Sequence, residues 1–271
     1  MGLNLGEALA ALSRAFADFL IHAAAMVACG FVALVEFAAL LVVTRGAGIH
    51  GPAAVLLLAA LIVLAGALTL AAWERLLFRR KAAMLFAFAG RDAGLAGGAA
   101  RVMFPDAASW SRSGRWLRQA LYALRRAGEP ADLPPGISGR VAETAFCRAI
   151  LALAVSRGYR DQPQGLAEAL ALYWRHGVQT RRTAEHWLRF SATSQALLFA
   201  VLALANVLIF RHAGAPAAIG VALAVAVAWP LHRAFFAPLA LAGVSAALLS
   251  ETNGREPDAV LCRKITPLLA S

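Results

Sequence analysis

Four apolar stretches, each long enough to cross a bilayer as a helix, occur in this chain as two close pairs separated by a long polar interval. Residues 19–44 and 53–78 make the first pair, and 192–210 and 217–236 the second. A hydrocarbon core about 30 Å thick needs roughly 20 apolar residues in helical form, so each stretch can span it. Composition agrees. At 61% hydrophobic residues and a mean hydropathy of +0.67, the chain lies outside the range of ordinary soluble domains. The expectation is an all-α, polytopic integral membrane protein. Four transmembrane helices form two hairpins with a helical cytoplasmic domain between them.

Charge placement orients this arrangement. The net charge is +11, and the interval from Arg79 to Arg189 holds 18 Lys/Arg against 8 Asp/Glu, or +10 of that total. The two short connectors, 45–52 and 211–216, hold one arginine each. Loops rich in Lys/Arg stay cytoplasmic, so the centre is expected inside and both connectors outside. An even number of spans then places both termini in the cytoplasm, and the composition suits a bacterial inner membrane. Arg79, Arg80 and Lys81 are the strongest local anchor. The start of the chain carries Glu7 and Asp18 and lacks the basic n-region of a cleavable signal peptide, so the first span is expected to be retained.

The expected organisation has five parts. Residues 1–18 form an interfacial helix with Leu5, Leu9, Leu12 and Phe16 on one stripe, and 19–78 form the first hairpin. Residues 79–191 form a basic helical domain, 192–236 the second hairpin, and 237–271 a cytoplasmic helix and tail. Glycines and Pro52 in the first connector predict a tight turn. Within the central domain, 107–127 reads as a helix opening at Asp106 and stopping at Gly128. A proline-rich linker follows at 129–139, then a helix over 140–157 with Val141, Phe146, Ile150 and Leu153 inward. A long helix from near Gln164 is expected to run unbroken into the third span. Pro230 and Pro238 bracket a kink, after which 239–249 is expected to run along or just below the membrane surface, with a partly re-entrant arrangement as the alternative. The tail after it, ending in Ala259–Ile265, reads as a short docking element.

Glu36 is the first candidate functional residue, because a carboxylate within an apolar span costs a few kcal/mol and faces a partner or a wet cavity. At about 1.5 Å per residue it lies roughly 25 Å into its span, and Asn206 lies about 21 Å into a parallel one, so the two could meet. Either a proton- or ligand-sensitive site or a hydrogen-bonded tie between helices would fit. A second polar set, His22, Glu74, Arg75, Gln195, His232 and Arg233, gathers at the cytoplasmic rim, where snorkelling accounts for most members. In the helix 107–127, Arg112, Arg115, Arg118, Arg125 and Arg126 oppose Trp110 and the leucines. That is the composition of a surface facing anionic lipid headgroups, with packing into a helical bundle as the other reading. No nucleic-acid motif accompanies these arginines. Gly220, Ala224 and Ala228 form a small-residue stripe that lets helix backbones approach, within the chain or between copies in a homo-oligomer.

Cys29, Cys147 and Cys262 are widely spaced and suggest neither a disulfide framework nor a zinc site. GxSxG, HExxH and Walker A patterns are missing from the sequence, and no cofactor or metal site is expected. The layout resembles flagellar-stator proteins and, more closely, the inner-membrane platform proteins of type II secretion and type IV pilus systems. Platform proteins carry a Gly-Glu turn, then Gly and Leu, opening a long helix into a span. Gly158 and the pair Gly165-Leu166 stand in such a place, with Tyr159 at the glutamate position; the literal Gly128-Glu129 occurs earlier. The family's large domain before the first span has no counterpart in this chain. The resemblance implies a non-enzymatic component of a multiprotein assembly, partnered by other membrane or cytoplasmic proteins and an assembly ATPase. The alternative is a subunit of an oligomeric transporter or channel that uses Glu36.

Overall fold

The structure is a computed structural model and describes residues 4–46, 48, 51–90, 101–126, 139–157, 162–212 and 216–270. Among them every regular element is a helix: α1 Leu5–Arg14, α2 Phe16–Gly46, α3 Pro52–Leu76, α4 Phe78–Phe88, α5 Ala107–Arg126, α6 Gly139–Ser156, α7 Gln162–His176, α8 Val178–His212, α9 Ala217–Ala234, α10 Phe236–Thr252 and α11 Ala259–Ala270. Four stretches are long and apolar enough to cross a membrane: Phe16–Thr44, Pro52–Trp73, Val178–His212 and Ala217–Thr252. The Gly/Ala-rich stretch 93–100, the linker up to residue 138 and the Gly158-Tyr159 pair lie outside the described residues.

The chain divides into two compact units. One gathers Met1–Phe19, Phe78–Phe190 and Pro238–Ser271; the other gathers Leu20–Leu77 and Ser191–Ala237.

The first unit has a continuous apolar core. In α4 every residue from Ala82 to Phe88 is buried, which is the pattern of a helix surrounded on all sides. Helix α6 is equally enclosed. Phe146, Ile150 and Leu153 point inward as expected, and Leu151, Ala152, Ala154 and Val155 are buried too. Phe104 joins these layers through edge-to-face contacts with Phe86 and Trp110, at 6.4 and 4.9 Å between ring centroids. Leu117, Leu121 and Leu124 of α5 fill the same core.

In α1, Ala8 and Ala11 are buried, as is Ala15 just after it, and Leu12 packs against the core, while Leu5, Leu9 and Phe16 are exposed. Small side chains permit the close approach to α4. The helix from 162 does not run unbroken into the third span. It breaks at Gly177, where a Cβ would overlap the carbonyl oxygen of Tyr173. After the kink, α10 buries Pro238, Ala240, Ala242, Val244 and Leu248 within this unit.

The tail docks on its own chain. Leu261, Ile265 and Leu269 of α11 are buried in the core. Asp258 opens the helix by accepting from the N–H groups of Val260 and Leu261 at 2.9 and 3.0 Å, and it pairs with Arg175 at 2.9 Å. The Leu261 N–H, followed by Arg175, holds the Asp258 carboxyl below the usual carboxylate range. Asp106 is held low in the same way by Ser109, whose N–H donates to it at 2.6 Å just inside α5.

In the second unit, α3 and α9 pack closely. A Cβ on Gly66 would sit 3.4 Å from Cβ of Ala226. Gly220 is buried against the backbone of Asn206 and Val207, with room for a Cβ only 3.0 Å away. That part of the small-residue stripe therefore serves packing within the chain. Phe37 meets Phe210 edge-to-face at 5.7 Å.

Candidate functional site: polar groups of the apolar unit

Glu36 lies on α2, half-buried between apolar neighbours. Its Oε1 accepts a hydrogen bond from Thr69 Oγ1 on α3 at 3.0 Å. Its Oε2 is buried and has no hydrogen-bond partner among the described residues. Thr69, rather than Asn206, is thus the donor that the structure brings to this carboxyl. Thr69 was hidden from depth arithmetic. Counted from the helix ends at the connector, the two residues differ by roughly 10 Å in depth at ~1.5 Å per residue. The helices are staggered by about that much, which run boundaries in a sequence do not reveal. Asn206 instead presents its backbone to Gly220.

The rim set is brought together in part. His22 and His232 are both buried. His22 Nε2 lies 3.2 Å from the carbonyl oxygen of Arg233. His232 Nε2 lies 2.8 Å from Ser191 Oγ and 3.1 Å from Ser191 O, and its ring stacks on Phe236 at 6.2 Å. The main chain here is bent by Pro230 inside α9. Proline supplies no N–H to the preceding turn, and Gly30 on α2 leaves room beside the ring. Arg75 is exposed, Gln195 is half-buried, and the side chain of Glu74 lies outside the described ones. Ser191 was missed by sequence reasoning. It sits at the start of an apolar run, where a serine carries no distinguishing signal.

A serine hydroxyl within reach of a histidine Nε2 is the first half of a nucleophile–base pair. Ser191 sits in the interior of α8, however, where the neighbouring N–H groups are committed to carbonyls one turn back. Such a backbone cannot turn donors toward a developing oxyanion, which is usually the largest catalytic term. The pair makes a polar tie between helices α8 and α9, a common use of Ser and His within apolar bundles. Glu36–Thr69 is a second tie of this kind, between α2 and α3.

On α5 the two faces are sorted. Trp110 packs on Phe104, and the leucine stripe is in the core, so the apolar side that an inserting helix would give to lipid is already buried. Arg112, Arg115, Arg118 and Arg126 are exposed. Arg112 lies over Trp116 and Arg126 over Tyr122, at 6.0 and 5.8 Å. The side chain of Arg125 lies outside the described ones. Among the described residues no group of three or more His, Cys, Asp or Glu is placed to hold a metal ion.

Comparison with protein-family models, with curated proteins and with solved structures returns no match.

Proposed function

We propose that the protein is a non-enzymatic, multi-pass scaffold of a bacterial inner membrane. In this reading it is a platform within a multiprotein assembly such as a secretion, type IV pilus or conjugation apparatus. The observation that carries the reading is the composition of the first unit. Its single core draws on three stretches that flank both apolar pairs. Stretches sharing one core must share one side of a bilayer, and the central stretch holds the Lys/Arg excess that marks the cytoplasmic side. A scaffold needs such a body, folded from the whole chain and held at one membrane face. The exposed arginines of α5 and the exposed Leu5, Leu9 and Phe16 of α1 offer it contacts to anionic headgroups and to the interface.

Affinity purification of the tagged chain in mild detergent tests the function. Stoichiometric companions, above all an assembly ATPase or other envelope proteins, are expected. A homogeneous homo-oligomer without companions would overturn the reading in favour of a transporter or channel subunit. The observation favouring that second reading is the unpartnered Oε2 of Glu36, and Glu36→Gln would then be its test.

Sidedness is tested separately. Single cysteines at the exposed positions Gln119 and Glu256 are expected to resist a membrane-impermeant maleimide in intact cells and to react after permeabilisation. Ready labelling of either from outside would refute a shared cytoplasmic face.

A further inference from the structure

The first unit contains a cleft of about 450 Å³, within the size range of small-molecule sites. It opens where the carbonyl ends of α4, α6 and α10 come together. Two arginines from separate parts of the chain line it. Arg14 on α1 donates through Nε to Ala87 O at 3.3 Å and through Nη2 to Phe88 O at 3.5 Å. Arg157 donates through Nη2 to Thr252 O at 2.6 Å and to Arg255 O at 2.9 Å.

These contacts orient both guanidiniums without neutralising them. Their acceptors are main-chain carbonyls, and no Asp or Glu is among the described residues lining the cleft. The three helix ends offset part of the charge, about half a unit each, yet a positive excess remains. Each guanidinium carries five N–H donors in a planar fork, and the carbonyl contacts engage only some of them. Ser250 and Asn253 also lie on the rim, while the half-buried Leu249 provides an apolar surface.

We propose that this cleft binds a phosphate monoester, its phosphoryl oxygens held between Arg14 and Arg157 and its apolar body against Leu249. Two permanently charged forks suit a dianionic tetrahedral group with several acceptor oxygens; a lone carboxylate would match one of them. The monoester is either a soluble metabolite or the headgroup of a phosphatidic-acid-like lipid.

Thermal unfolding of the purified full chain separates these sources. Phenyl phosphate added in detergent is expected to raise Tm in a saturable way, whereas chloride at equal ionic strength does not. If only nanodiscs containing phosphatidic acid raise Tm relative to phosphatidylcholine discs, the ester is a lipid headgroup. Because Arg14 and Arg157 also tie helix ends, the diagnostic variants are at exposed Ser250. Ser250→Glu, which places a carboxylate in the cleft, is expected to abolish the shift, and Ser250→Gln, of similar size but neutral, to reduce it at most partly. No shift with either ligand, or a shift unaltered in Ser250→Glu, overturns the proposal.

Discussion

Gly243→Leu is expected to leave the chain without a folded first unit, and Gly243→Ala to lower its stability by about 1–3 kcal/mol or more. A Cβ on Gly243 would fall within the indole of Trp187. That indole cannot step aside, because Trp187 is fully buried and braced edge-to-face by Phe190 at 5.8 Å. The contact brings the backbone of α10 flat against the ring, which only glycine allows. Trp187→Ala should cost about 3–5 kcal/mol by leaving a cavity. Gly243→Ala combined with Trp187→Ala should then cost less than the sum of the single changes, since each relieves the strain or void that the other creates. Thermal unfolding of the four proteins in one detergent reads the cycle. Additivity would show that the two residues do not share this contact.

Glu251→Ala is expected to destabilise the same unit by about 3 kcal/mol, through loss of a helix cap supplied from a distant part of the chain. The Glu251 carboxylate accepts from the N–H groups of Gln179 and Thr180 at 2.9 and 2.7 Å and from Thr180 Oγ1 at 2.6 Å. These are first-turn donors of α8, which otherwise have no partner within the helix. A cap contributes about 0.5–2 kcal/mol, and Thr180 is completely buried, so its orphaned N–H and O–H add about 1–3 kcal/mol each before relaxation. Glu251→Gln keeps one acceptor oxygen and loses the charge that favours a helix N-terminus; about 1 kcal/mol is expected. Hydrogen exchange at the Thr180 amide reports the cap directly. Unchanged protection in Glu251→Ala would refute this role.

The large outlines of the fold were legible because hydrophobic length and charge asymmetry are strong signals. The four apolar stretches appear as helices long enough to span a membrane, and the helix expected from 107 appears as α5, its expected stop at Gly128 lying outside the described residues. What was not legible depended on which surface an apolar residue meets. The segment 239–249 is rich in Ala and Leu and reads alike on a membrane surface or in a protein core; in α10 it is core. Alanine is likewise ambiguous in α1, where Ala8 and Ala11 rather than Leu5 and Leu9 face inward, since close approach favours small side chains. For the polar groups, sequence depth located Glu36 but not its partner. Helix stagger, set by packing against neighbours, decides that Thr69 meets it.

The interleaving of the two units also fixes the order of biogenesis. Ala8 and Ala11 leave the ribosome more than 200 residues before Val244, Leu248, Leu261 and Ile265, yet all join one core. Through that interval the apolar surfaces of α4 and α6 have no final cover. With the first unit on one side of a bilayer, as proposed above, a nascent chain with one span inserted the wrong way would leave part of this core across the bilayer and never close it. An insertion error is thereby converted into persistently exposed apolar helix, the form of damage that chaperones and proteases recognise.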